Sequence, residues 1–96
     1  MSFVQSYQMT ARDGSGPALE QALHDLGATL DQISGSLGTM VLRDRADAGK
    51  FSFLEFWTSD QARDAAGAHL PKDVMGRIKD ALGAPPQVAG YDKLGG

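Results

Sequence analysis

Few residues of this chain could do chemistry, and most of them lie in its second half. His69 stands just before Leu70-Pro71, where a helical stretch must break. With an unperturbed pKa of about 6.5, an imidazole is the ready general acid or base near neutral pH. At a helix break it could equally cap free carbonyls in solvent. Glu55 precedes Trp57 by two residues, which puts both side chains on one face of a strand. A buried carboxylate there would bind its proton more tightly and could act as a base toward an acidic hydroxyl. The commoner fate of such a Glu is an ion pair, with Arg43 of a neighbouring strand or with an arginine from a partner chain. Trp57 could stack on a flat aromatic ring, or close a core or an interface. Tyr7 and Tyr91 each offer a phenol, though packing is the commoner role. Arg12 could hold an anion, and His24 falls on the polar side of a helix. Met9, Met40 and Met75 are adaptable gap-fillers that would suit a malleable apolar pocket.

Other chemistries are excluded at this level. There is no cysteine, so disulfides, thiolate nucleophiles and most structural zinc sites drop out. The two histidines lack metal-ligand spacing, and no metal is expected. No G-x-S-x-G, P-loop or G-x-G-x-x-G occurs. The formal net charge is −3, which disfavours nucleic acid and anionic membranes as partners. The N-terminal MSFVQSYQMT has neither a basic nor an apolar region of a signal peptide. No apolar run nears the ~20 residues of a membrane helix. The expectation is a soluble cytoplasmic protein, with the 96 residues forming a single domain over positions 1–96.

The elements that must position these residues can be read from periodicity and punctuation. Phe3–Thr10 alternates as a first strand, with Phe3, Gln5, Tyr7 and Met9 on one side. Leu19, Leu23, Leu26, Leu30 and Ile33 form one stripe of an amphipathic helix over Pro17–Ser34, capped by Gly35. Gly27 inside that helix marks a close approach. Leu37–Arg43 and Lys50–Trp57 are strands of an antiparallel hairpin. Thr58 with Gln61 has capping-box spacing and opens an alanine-rich helix, Ser59–Ala68. Beyond Pro71, Val74, Met75, Ile78 and Leu82 continue a helical stripe to Ala81, and Val88–Leu94 is the last strand. The order β-α-β-β-α-β predicts a ferredoxin-like α+β fold, an antiparallel sheet with helices on one face. The third strand conflicts with an open second face: Phe51, Phe53 and Trp57 point one way, Leu54 and Phe56 the other. A second copy of the chain is the expected cover, giving a homodimer through the sheet faces.

With the elements placed, a resemblance emerges. It is carried by Gly35-Ser36-Leu37-Gly38 after a leucine-striped helix, Val41-Leu42-Arg43-Asp44, Phe51–Trp57 with its Glu-x-Trp, Ser59, Gln61-Ala62 and His69-Leu70. These features resemble the antibiotic biosynthesis monooxygenase family, the quinol-monooxygenase-like members of the dimeric α+β barrels, over about Val4–Leu94. The resemblance implies a homodimeric barrel that oxygenates a small aromatic or quinol-type molecule with O₂, without a bound metal or flavin. It places substrate between sheet and helices, near Trp57. Joined to the residue readings above, the expectation is His69 as base, with Trp57, Tyr7, Met40, Met75 and Glu55 around the substrate. A base is the minimum requirement, since a deprotonated hydroquinone can itself pass an electron to O₂. The family's helix-two His usually falls nearer the Trp, where this chain has Ala66. His69 is then either its shifted equivalent or the later His of many members. Haem-degrading relatives need an Asn on the first strand and a Trp on the second helical segment. This chain has no Asn and carries Trp57 on a strand, so that branch is not expected. The alternative to an enzyme is a non-catalytic dimeric barrel that binds a small apolar ligand or serves as an accessory protein.

Overall fold

The structure, a computed structural model, describes residues 2–96. Strand β1 (Ser2–Thr10) leads to helix α1 (Gly16–Leu30), and strands β2 (Ser36–Arg43) and β3 (Lys50–Trp57) form the hairpin. Helix α2 (Asp60–Ala66) tightens into a 3₁₀ turn over Gly67–His69, and helix α3 (Lys72–Ala81) and strand β4 (Gln87–Lys93) follow. The four strands pair antiparallel in the order β2-β3-β1-β4. This is the expected ferredoxin-like α+β arrangement. No helix among the described residues is long and apolar enough to cross a membrane.

Helix α1 starts where its sequence says it should, with Pro17 in the first turn and no donor wasted. Its stripe Leu19, Leu23, Leu26 and Leu30 is buried on the sheet. The helix stops at Leu30, short of the expected Ser34, because residues 31–34 fold into a turn in which Gln32 and Ile33 donate backbone N–H groups to Thr29 and Leu30. Gly35 ends that turn rather than the helix. Its φ of +89° is open to glycine at little cost, and its carbonyl accepts from the Thr58 N–H at 2.9 Å. Gly27 does mark a close approach, since a Cβ there would stand 2.7 Å from the Thr39 Oγ1 of β2.

The cap of α2 differs from the expected Thr58–Gln61 box. Thr58 is engaged as a donor to Gly35, so Ser59 takes the cap position and its hydroxyl accepts from the Ala62 N–H at 3.1 Å. The break near His69 has a plain cause. Leu70 precedes Pro71 and is forced to extended backbone, φ −68° and ψ 131°.

The two faces of the sheet differ. Phe51, Phe53, Glu55 and Trp57 of β3 are buried beneath the helices. The opposite face carries Leu54 and Phe56, half-buried, beside the exposed Met40, Leu42 and Tyr91. A wide apolar surface therefore lies on the side away from the helices.

Candidate active site

Register builds the site. Across the helix-covered face, Thr39, Glu55, Gln5 and Gly90 stand in one row from β2 to β4. The neighbouring rows carry Val41, Phe53, Tyr7 and Val88 on one side, and Ser36, Trp57, Phe3 and Asp92 on the other. On the two central strands the polar pair Gln5–Glu55 is thus held between the aromatic pairs Tyr7–Phe53 and Phe3–Trp57, and Gln5 and Glu55 are both buried.

A cavity of about 200 Å³ lies between this face and α3. Tyr7, Phe53 and Glu55 line it from the sheet, Met75 and Ile78 from α3, and Leu70 from the segment after the 3₁₀ turn. Its walls are almost wholly apolar. The Tyr7 and Phe53 rings lie 6.4 Å apart at a tilt of 41°, within the range of favourable aromatic pairs.

Glu55 is the buried acid of this site. Burial raises its proton affinity above the ordinary carboxylate range, opposed by a hydrogen bond from Trp57 and by the positive charge of Arg63. The Trp57 Nε1–H donates to Glu55 Oε1 at 3.1 Å. Tyr7 is also pushed up, first by burial and then by the Glu55 charge, with Arg63 acting against both. The arrangement is a carboxyl group in an apolar cavity beside a phenol. It is poised to hold or accept a proton and is aimed by an indole that has no other polar task.

Some expected residues meet here and others do not. Tyr7, Glu55 and Met75 line the cavity, and Trp57 stands behind Glu55. Met40 pairs with Leu54, which points away from the helices, and is 51% exposed on the open face. Tyr91 lies on that face too. His69 is exposed at the end of the 3₁₀ turn and borders a separate hollow with Ile33 and Ala66. The expected Arg43–Glu55 pair does not form. Arg43 registers with Phe51, four residues along β2 from Thr39, and reaches Glu20 at 3.4 Å instead. His24 is exposed, 3.6 Å from Glu20, on the polar side of α1 as expected.

Gln5, in register with Glu55, and Arg63, whose charge acts on Glu55 and Tyr7, are not among the residues that the sequence singles out. The alternation of β1 places Gln5 between Phe3 and Tyr7, and a polar residue flanked by aromatics on a core face is a signal in itself. Arg63 follows Ala62 and precedes the buried Ala66 by one turn, so it shares the sheet-facing side of α2. A larger hollow of about 370 Å³ opens near Arg43, Lys50 and Gln87, but it is polar and contains no buried acid or base.

The sequence matches the model of the antibiotic biosynthesis monooxygenase family over residues 2–76. The chain belongs to this family. The match runs from β1 into α3 and so contains every residue of the cavity named above except Ile78. Three solved structures show the shared fold. One is Rv0793 from Mycobacterium tuberculosis, at 15% identity and a TM-score of 0.84, covering 100% of this chain and 98% of that one. A mutant of SnoaB, a cofactor-independent oxygenase from Streptomyces nogalater, superposes at 14% identity and a TM-score of 0.85, covering 99% and 95%. PA3566 from Pseudomonas aeruginosa matches at 24% identity and a TM-score of 0.81, covering 98% and 95%. No curated protein matches the sequence. As a member of the antibiotic biosynthesis monooxygenase family, the chain is monooxygenase-like at the family level. Among the described residues, no three of His, Cys, Asp and Glu come together in a metal-binding group.

Proposed function

We propose that this protein oxidises a small aromatic, quinol-type molecule with O₂, using no protein-bound cofactor, and that Glu55 is its base. The observation that carries this reading is the Glu55 carboxyl in the wall of an apolar cavity, hydrogen-bonded to Trp57 and next to Tyr7. Ionised Glu55 would take a proton from a substrate hydroxyl. The resulting phenolate is electron-rich enough to reduce O₂, so the reducing power comes from the substrate itself. Tyr7 would donate to, or accept from, a substrate oxygen. Phe53 and Met75 would sandwich a ring. The cavity is smaller than the ~300–1,000 Å³ of drug-sized pockets, which favours one or two fused rings. Family membership and the fold shared with a cofactor-independent oxygenase support the same reading. His69 stands outside the cavity, so the role first open to it passes to Glu55.

Oxygen uptake with a panel of mono- and bicyclic hydroquinones tests the proposal. At least one should be consumed faster than its own autoxidation, with His69→Ala retaining the rate. No rate above the blank for any of them overturns the oxygenase reading.

The same reading includes a homodimer joined through the open sheet faces. Its support is the apolar surface of Met40, Leu42, Leu54, Phe56 and Tyr91, which water would otherwise cover at about 25 cal/mol per Å². In sedimentation at micromolar concentration the protein should run at twice its 10.2 kDa chain mass. Met40→Glu should shift it toward monomer, because two like charges would meet across the two-fold axis or stay buried unpaired. A parent protein that sediments as a monomer refutes the dimer.

A further inference from the structure

The apolar cavity beside Glu55 has a cation at its mouth. Lys79 lines it from α3, with Met75 one turn before it and Leu82 about a turn after it on the same side. It is the one cation among the described residues that line the cavity, and it is exposed. Its neighbours one turn away along the chain are Met75, Gly76, Leu82 and Gly83, none of them acidic. Among the described residues Lys79 joins no ion pair, whereas Arg43, Arg63 and Arg77 each reach a carboxylate. Its place in the last turn of α3 suits the helix dipole, a role that needs no ligand. An anionic group on a ligand in the cavity would meet this ammonium partly out of water, where charges attract more strongly than in bulk solvent.

The fold sets where the cation stands relative to Glu55. The C-terminal end of α3 is tied to the end of β1, since Leu82 bridges Ala11 and the Arg12 N–H donates to the Ala81 carbonyl at 2.8 Å. Lys79 is about one turn back from that tie. Glu55 is opposite Gln5, and from Gln5 to Ala11 is roughly 20 Å of extended chain. The two groups therefore stand toward different ends of the cavity, and the Tyr7–Phe53 pair lies between the row of Glu55 and that of Met9.

We propose that the ligand of this cavity is an aromatic acid, one or two fused rings against Tyr7 and Phe53 with a hydroxyl at Glu55 and a carboxylate at Lys79. Lys79 is then the residue that selects for the acid. This deepens, and rests on, the reading of the cavity as the substrate site with Glu55 at its reacting end. A carboxylate costs more to take out of water than a neutral group of the same shape. The net charge of −3 also opposes it. Walls this apolar would by themselves favour the neutral analogue, so a preference for the acid requires the ammonium. The polar hollow at Lys50 has no comparable apolar walls to hold a ring.

Two probes of one shape separate charge from fit: 6-hydroxy-2-naphthoate and 6-hydroxy-2-naphthamide, each with its hydroxyl and its acid or amide at opposite ends of a bicyclic ring. Neither is a hydroquinone, so calorimetry can measure binding at equilibrium without turnover. At neutral pH and low salt the parent should bind the carboxylate about three- to tenfold more tightly than the amide. Lys79→Gln and Lys79→Met should lose or reverse that preference. Lys50→Gln, at the other hollow, should keep it. The proposal is overturned by a parent that binds neither probe, binds both alike or favours the amide. A preference that survives both neutral variants of Lys79 overturns it as well, and so does one lost in Lys50→Gln. Failure of every hydroquinone to turn over would sink the oxygenase reading and leave this comparison standing, so the two fail separately.

Discussion

Trp57→Ala should lower the free energy of unfolding by about 3–5 kcal/mol, the usual range for deleting a large buried aromatic. Trp57 is 1% exposed at the end of β3, opposite Phe3 of β1 and Ser36 of β2. The core there has no spare side chain to fill the space, because α2 covers it with alanines, among them the buried Ala66. The substitution also removes the indole donor from Glu55, so a buried carboxyl loses a partner as well as a neighbour. For a chain of this length, total stability is of order 5–14 kcal/mol, and the loss is a large share of it. Urea unfolding at pH 7 would measure it as a lower midpoint with little change in slope. Trp57→Phe should recover part of the packing but none of the hydrogen bond. A loss under about 1 kcal/mol for the alanine variant would show that α2 collapses onto the gap.

How much of this was legible in the sequence depended on whether a feature is local. Lys50–Trp57 is the strand expected from its apolar run, and the alternation within it correctly put Glu55 and Trp57 on one face. What stayed hidden was set by register and rotation. Arg43 could have met Glu55, and whether it does turns on how β2 slides against β3, including the irregularity between Ser36 and Gly38. No local pattern specifies that offset. Met40 and Met75 look alike as gap-fillers, yet the parity of β2 sends Met40 to the open face beside Leu54. The break before Pro71 was visible, but the direction of His69 depends on a single 3₁₀ turn, and a change of one residue in its pitch swings the ring by about 100–120°. Helix α1 shows the same limit. Ile33 continues the apolar rhythm, but the chain has already left the helix at Leu30 to bring Gly35 against Thr58.

Glu55→Gln should reduce kcat/KM on a quinol-type substrate by about 10²–10⁴-fold, the range for losing a positioned general base, while leaving the protein at least as stable at neutral pH. The two halves of this expectation come from one fact. Burial holds the Glu55 proton more tightly in the folded protein than in the unfolded chain. Stability from a group raised in this way is fully present below the unfolded value of about 4.3 and is lost as pH rises through the higher folded value. Above its raised folded pKa the parent therefore carries a buried carboxylate that folding would sooner keep neutral. Gln is close to isosteric with the protonated acid, can still accept from Trp57 Nε1, and has no charge to desolvate. Thermal unfolding of the two proteins should give the variant the higher Tm at pH 7–8, with the gap closing as pH falls below about 4. A residue kept for structure would behave in the opposite way, losing stability and activity together on substitution. If Glu55→Gln melts lower than the parent at neutral pH, the carboxylate is a structural partner of Arg63 and Trp57, and its claim to be the base fails. A gain in stability with a loss of turnover would instead mark a site where strain is retained because the reaction needs the charge.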